Sequence, residues 1–291
     1  MKKYLIPIIS ALSLLFNNAI AQQVAHTNSK SLLWRISGKH MSNPSYLFGT
    51  MHIICAADYI WTDSMEKCLE RADEVCFEMD MDDPSVMMAV ATAMISSNGK
   101  TIKDYLTDEQ YKLLAQYVED NLHMDMSVLN QMKPVALQML FSEKVINCDT
   151  PVSYEERIMG IAKEEKKNIV GLEEAREQIA LLEKMPADTA IQEIIRAVQS
   201  KSETDTEYEK MVMLYKNQDI QGLYRLIKRS KEAGLDMGDF LDNRNKKWID
   251  RIVDKMDQRS VFFAVGAGHL WGDKGLISLL RKEGYVVEPV K

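Results

Sequence analysis

At 291 residues, with 46% hydrophobic and 27% charged side chains, the chain has room for one large or two small domains and enough apolar residues to bury a core. Aromatic residues at 8%, with 13 Gly and 7 Pro, exclude a collagen-like, low-complexity or globally disordered chain. The 36 Lys and Arg stand against 43 Asp and Glu, a net charge of −7, which argues against the broad phosphate-neutralising surface that a nucleic-acid partner requires.

Lys2 and Lys3 precede an apolar run from Tyr4 to Phe16, and Ala19-Ile20-Ala21 supplies small residues before Gln22, the layout of a secretory signal cut after Ala21. The run falls short of the ~20 residues that span a bilayer. No stop-transfer pattern follows it. Residues 1–21 are therefore expected to be a signal peptide and 22–291 a single exported domain, periplasmic or extracellular, without stable membrane insertion.

Leu32–Ile36 and Tyr46–Phe48 flank a turn-rich loop from Gly38 to Pro44 and read as a hairpin. A helix around Thr62 to Ala72, with Thr62 or Asp63 as its N-cap, leads into a third strand, Glu74–Met79. From Asp83 to about Ile146 the pattern is helical, with a capping-box-like start at Thr107 to Gln110 and Leu113, Leu114, Tyr117 and Val118 at helical spacing behind it. A helix from Ser153 to Lys166 has Tyr154, Ile158 and Ile161 or Ala162 on one face. The strand Asn168–Leu172 follows and ends on Glu173. Helical periodicity resumes from Glu174 to about Lys255, with breaks near Met185-Pro186 and Gly234 to Gly238. Ser260–Val265 is a buried strand, Lys274–Lys282 a helix and Tyr285–Val290 a last strand. Strands at both ends around a helical middle predict an α/β fold. Its central mixed sheet is built from N- and C-terminal strands, and a large helical insertion, about residues 83–240, covers it.

Cys55, Cys68, Cys76 and Cys148 permit two disulfides in an oxidising compartment, and one disulfide beside buried thiols stays equally open. The absence of any C-x-x-C pair disfavours a structural cysteine-type zinc site. The 19 Met residues are read as flexible core filling rather than copper ligands.

Of the five histidines, His26, His40 and His123 fall where a solvated ring is the simplest explanation. His52 and His269 each follow a hydrophobic strand in the same Gly-x-x-His pattern, Gly49 to His52 and Gly266 to His269. A Gly after a strand lets the backbone turn and present the His at the strand's C-terminal end, the edge where ligands bind in open α/β sheets. Glu78 and Glu173 end strands in comparable places, so four polar groups are expected over one sheet edge. Two histidines and one glutamate form a common catalytic metal set that leaves a position for water. The plainer alternative is that each His caps a strand and each Glu pairs with a surface Lys or Arg. Arg244 is read as starting a helix whose apolar face carries Trp248, Ile249 and Ile252, from where a guanidinium would reach the same edge. Gly266-Ala267-Gly268 matches a dinucleotide fingerprint poorly, because Trp271 replaces the third Gly and His269 would crowd a pyrophosphate. No phosphate-binding P-loop, Gly-x-Ser-x-Gly elbow or His-Glu-x-x-His helix is present.

Several stretches in order resemble the TraB/GumN family, which includes the Tiki-type metalloproteases and is distantly similar to erythromycin esterases and ChaN-like proteins. They are Tyr46 to His52, Cys76 to Asp80, Met132-Lys133-Pro134, Ile169 to Glu173, Gln178, Asn243-Arg244-Asn245, Ala264 to Gly272, Gly275-Leu276 and Gly284-Tyr285. The resemblance implies a divalent-metal site, Mn²⁺ or Co²⁺ in Tiki-type members with Zn²⁺ a further option, held here by His52, Glu78 and His269 with Arg244 beside them. The chain departs from the family pattern in two places. Asn147 to Glu155 stands where many members carry Gly-Ile/Val-Asp, and Glu174 where members tend to have Thr. The expected function is an exported metal-dependent hydrolase, peptidase-like, acting on a peptide or small-molecule substrate, with Glu173 as candidate base and Arg244 as candidate oxyanion donor. The alternative is a non-catalytic protein of the same fold that binds or sequesters a peptide. Nothing in the sequence specifies an oligomeric state.

Overall fold

The computed structural model describes residues 30–144, 148, 150–199, 201–229 and 237–291. The expected signal peptide and Gly234 lie outside the described residues. Eight strands follow in chain order: β1 (Leu33–Ser37), β2 (Ser45–Thr50), β3 (Ile54–Cys55), β4 (Glu74–Met79), β5 (Pro151–Val152), β6 (Asn168–Glu173), β7 (Val261–Gly266) and β8 (Val286–Pro289). Six of them form one mixed sheet in the order β6-β4-β7-β2-β1-β8, and β3 pairs with β5 separately.

The hairpin is present, with Leu33 opposite Phe48 and Ile36 opposite Ser45. Its turn uses Gly38 at φ +107, a conformation that L side chains rarely adopt. β6, β4, β7 and β2 are parallel neighbours. Parallel strands are covered on both faces and so read as apolar runs rather than alternations, as Val261 to Val265 does, with every residue buried. β8 closes the other side by pairing antiparallel with β1. The α/β architecture built from both ends of the chain is the one the sequence pattern predicts.

The helices are α1 (Asp63–Arg71), α2 (Pro84–Ala93), α3 (Asp108–Leu122), α4 (Met126–Leu129), α5 (Pro134–Lys144), α6 (Tyr154–Glu164), α7 (Ala175–Leu182), α8 (Ala187–Gln199), α9 (Lys201–Lys216), α10 (Ile220–Arg229), α11 (Met237–Met256) and α12 (Leu276–Lys282). Side-chain oxygens start several of them, with Thr62 accepting from the Met65 amide, Thr107 from Gln110 and Ser153 from Glu156. The helical span 83–240 is not one block, because α6 and β6 inside it belong with the main sheet. Its two helical pieces meet in a second apolar core, where Ile102, Leu114, Val118, Leu137 and Phe141 pack with Ile191, Ile194 and Ile195.

One further expectation changes, and one open alternative closes. Gly238 lies in the first turn of α11 rather than in a break, so Arg244 sits about two turns into that helix instead of at its start. Of the open cysteine alternatives, the single bridge is observed: Cys55 joins Cys148, and Cys68 and Cys76 are buried free thiols. Among the described residues no helix is long and apolar enough to cross a membrane.

Candidate active site

Parallel order decides where the polar residues go. β6, β4, β7 and β2 end at one edge of the sheet. Glu173 is the last residue of β6, Glu78 the penultimate of β4, His269 closes a 3-10 turn directly after β7, and His52 lies two residues past β2. The glycines of the paired motifs have another purpose than turning, since neither Gly49 nor Gly266 has a positive φ. Gly49 lies within β2, where a Cβ would stand 3.0 Å from Leu270 Cδ2 and 3.1 Å from the Ala267 methyl. At Gly266 a Cβ would stand 3.3 Å from Glu78 Oε1, 3.8 Å from His269 Cδ2 and 3.9 Å from His52 Nε2. Its absence leaves open a space that all three expected ligands border.

Arg244 ties the edge together. Its Nη2 donates to Glu78 Oε2 at 2.5 Å and also to Glu173 Oε1, its Nε to Glu173 at 3.1 Å, and its Nη1 lies 3.2 Å from His269 Nε2. Trp248, one turn on, donates its indole N–H to Glu173 Oε2 at 3.0 Å, and its rings lie 4.5 Å from the guanidinium and 4.4 Å from the His269 ring. Glu78 Oε1 accepts from the Gly266 amide at 2.8 Å. Burial works against the Glu78 carboxylate, but the charge of Arg244 and the Gly266 N–H outweigh it and hold its pKa well below the usual carboxylate range.

His269 is fully defined by Asn245. The Asn245 amide nitrogen donates to the carbonyls of His269 and Lys274 at 3.1 and 2.9 Å, so its oxygen faces His269 Nδ1 at 2.6 Å. An amide oxygen only accepts, so Nδ1 carries the proton and Nε2 presents a lone pair. Burial, with the charge of Arg244 added and that of Glu78 opposing, brings the His269 pKa down to about 3 and keeps the ring neutral.

His52 is the exposed member, with 69% of its side chain open to solvent. Its Nδ1 donates to Glu155 Oε1 at 2.8 Å, and the buried Glu155 carboxylate also accepts from Thr50 Oγ1 at 2.6 Å and Ser153 Oγ at 3.1 Å. Desolvation opposes the charged imidazole, but the hydrogen bond and charge of Glu155, with the charge of Glu78, raise its pKa to about 9. Glu155 and Asn245 are the functional neighbours that sequence reasoning missed. Asn245 stood in the Asn-Arg-Asn stretch without a role, and Glu155 resembled any acid in a helix's first turn.

The ion implied by the family resemblance needs its donors around one point. Among the described residues, no three His, Cys, Asp or Glu side chains are gathered closely enough to hold one as they stand. Glu78 Oε1 is 3.8 Å from His269 Nε2, and Arg244 contacts both residues. In kind the donors fit once two contacts give way: an ionised Glu78, a neutral His269 whose lone pair now faces Arg244 Nη1, and His52, whose Nε2 has to lose its proton, border the space over Gly266. Each imidazole is held through Nδ1, the second-layer contact that orients histidine ligands. Glu173, expected as a base, has both oxygens taken up by Arg244 and Trp248, and only 2% of its side chain is exposed.

A model of the TraB/PrgY/gumN family matches residues 32–289. Metalloprotease TIKI1 of Danio rerio is 23% identical over 315 aligned positions, covering 89% of this chain and 63% of that protein. Metalloprotease TIKI1 of Homo sapiens is 22% identical, covering 89% and 61%, and a Metalloprotease TIKI homolog of Amphimedon queenslandica is 22% identical, covering 95% and 65%. The chain thus spans less than two thirds of the length of these relatives. No solved structure matches it.

Proposed function

The chain belongs to the TraB/PrgY/gumN family, and from that premise we propose that it is an exported metal-dependent hydrolase of peptide bonds. The observation that carries the reading is the convergence of Glu78, His269 and His52 on the space above Gly266. His52, Glu78 and His269 would hold a divalent ion, with Mn²⁺ or Co²⁺ the first choices and Zn²⁺ the next. When bound, the ion supplies Lewis acidity and a water of lowered pKa. Asn245 keeps the His269 lone pair turned to the site, because its own amide is fixed by two carbonyls. Arg244 is the donor to a developing oxyanion, and Glu173 with Trp248 holds that guanidinium at the sheet edge. Glu173 thereby becomes a positioning residue rather than a base. Export is supported by the signal-like layout of residues 1–21 and by the Cys55–Cys148 disulfide, a bond that persists in oxidising compartments.

One observation favours a second reading, a peptide-binding protein without turnover: Arg244 takes up the His269 lone pair, and Glu173 has no free oxygen to act as base. The test uses purified protein, a His52→Ala/His269→Ala double variant and a peptide library with Mn²⁺ or Co²⁺. New peptide termini, together with metal affinity at least about tenfold above that of the double variant, are expected from the loss of two ligands. Equal affinity in both proteins would remove the metal site. Enrichment of intact peptides without new termini would establish the binder.

A further inference from the structure

Nothing in the main sheet holds His52. It lies beyond the last ladder residue of β2, and its ring is mostly in solvent. Its side chain hydrogen-bonds Glu155, 103 residues away in sequence, on a helix whose N-terminus is already capped by Ser153. The Glu155 carboxylate is therefore not needed as a cap. It is nevertheless 8% exposed, and burying an ionised carboxylate is costly unless partners meet its oxygens. Those partners are Thr50 and His52 on one oxygen and Ser153 on the other, so two of the three come from the segment that presents His52.

The two segments meet through a separate device. β3 pairs with β5, placing Ile54 opposite Val152 and Cys55 opposite Pro151. The Ala56 amide donates to the Thr150 carbonyl at 2.9 Å. Cys55 is bonded to Cys148. Every residue from 54 to 56 is thus tied to the stretch just ahead of Glu155, and none of these ties belongs to the six-stranded sheet. A two-residue strand pair is too short to persist by itself, so the covalent bond is what gives it permanence.

We propose that Glu155 is a positioning residue of this site, holding His52 through Nδ1 so that Nε2 faces Glu78. The β3–β5 pair with its disulfide is the clamp that keeps Glu155 in reach, and loss of the Cys55–Cys148 bond frees the His52 arm while the main sheet stays folded. The proposal rests on the reading of His52 as a site residue and adds what positions it.

The experiment compares wild type with Glu155→Gln, Glu155→Ala and Cys55→Ser/Cys148→Ser, using three measurements. These are the imidazole N–H resonances of ¹⁵N-histidine-labelled metal-free protein, assigned with His52→Ala; backbone hydrogen exchange; and affinity for Mn²⁺ or Co²⁺. In wild type the His52 Nδ1–H should exchange slowly enough to be seen. Glu155→Ala should abolish that resonance and lower metal affinity about 10–100-fold, the usual loss when a ligand's hydrogen-bond partner is removed. Glu155→Gln retains an acceptor oxygen and should recover part of both. The cysteine variant should speed exchange in residues 50–56 and weaken the resonance, with β7 protection unchanged. The proposal is overturned if Glu155→Ala leaves the His52 resonance as in wild type, or if the cysteine variant speeds exchange in β7 as much as in residues 50–56. If no form binds metal while the resonance still depends on Glu155, the positioning role stands and the metal reading falls.

Discussion

Gly266 separates two reasons for a glycine that look alike in sequence. Its φ of −52 and ψ of 135 are open to any L-residue, so the backbone does not demand glycine there. What a side chain would take away is the space between Glu78, His269 and His52. Gly266→Ala is therefore expected to keep folding stability within about 1 kcal/mol of wild type, because alanine in a compatible conformation also restricts the unfolded chain. Its methyl would press on Glu78 Oε1 from 3.3 Å, and Mn²⁺ or Co²⁺ affinity should fall at least about tenfold, as when ligand geometry is disturbed. Urea denaturation and metal titration read the two effects separately. A large stability loss with unchanged affinity would make Gly266 a packing residue. Gly49→Ala supplies the contrast, since its Cβ would meet Leu270 and Ala267 and should show an overpacking cost of about 1–3 kcal/mol.

At the scale of elements, α11 supplies most of what the sheet edge lacks. Arg244, Asn245 and Trp248 lie within about one turn of each other, and between them they hold Glu78, Glu173 and His269. Asn245 fixes the chain after β7 by donating to two carbonyls, and it is 1% exposed. Asn245→Asp would exchange those donors for an acceptor facing two acceptors, so a loss of about 1–3 kcal/mol per buried unsatisfied group is expected, measurable by denaturation near pH 7. Stability equal to wild type would show that the segment is held by other means. The strand ends were legible in sequence because apolar runs terminated by Gly-x-x-His or Glu record both the burial of a parallel strand and the polarity of its exit. Arg244 was legible as a residue but not in its setting. Gly234 to Gly238 read as a break and put it at a helix start, where a partner such as Glu173 is not implied. Glu155 was not legible, since its approach to His52 depends on strands two residues long, which have no periodicity to detect, and on a disulfide whose pairing the spacing left open.

At the scale of the whole molecule, the described residues form two apolar cores with different chain histories. One surrounds the sheet and includes Phe48, Phe77, Phe262 and Phe263. The other lies among α3, α5 and α8 and draws on two stretches that α6 and β6 separate in sequence. The polar sheet edge depends on the first core directly, because its residues sit on strand ends and on α11. Phe141, 2% exposed and stacked on Tyr117 at 5.4 Å, belongs to the second. Phe141→Ala should cost about 3–5 kcal/mol, as large aromatic truncations in cores do. If the helical core can open as its own unit, that cost will appear as faster hydrogen exchange in α3, α5 and α8 while β2, β4 and β7 keep their protection, because sub-global openings follow contiguous packing. Metal affinity at the edge should then stay near wild type. Exchange rising equally in β7 and α5 would instead mean that the two cores fold as one cooperative body, and that damage among the helices reaches the site through the sheet.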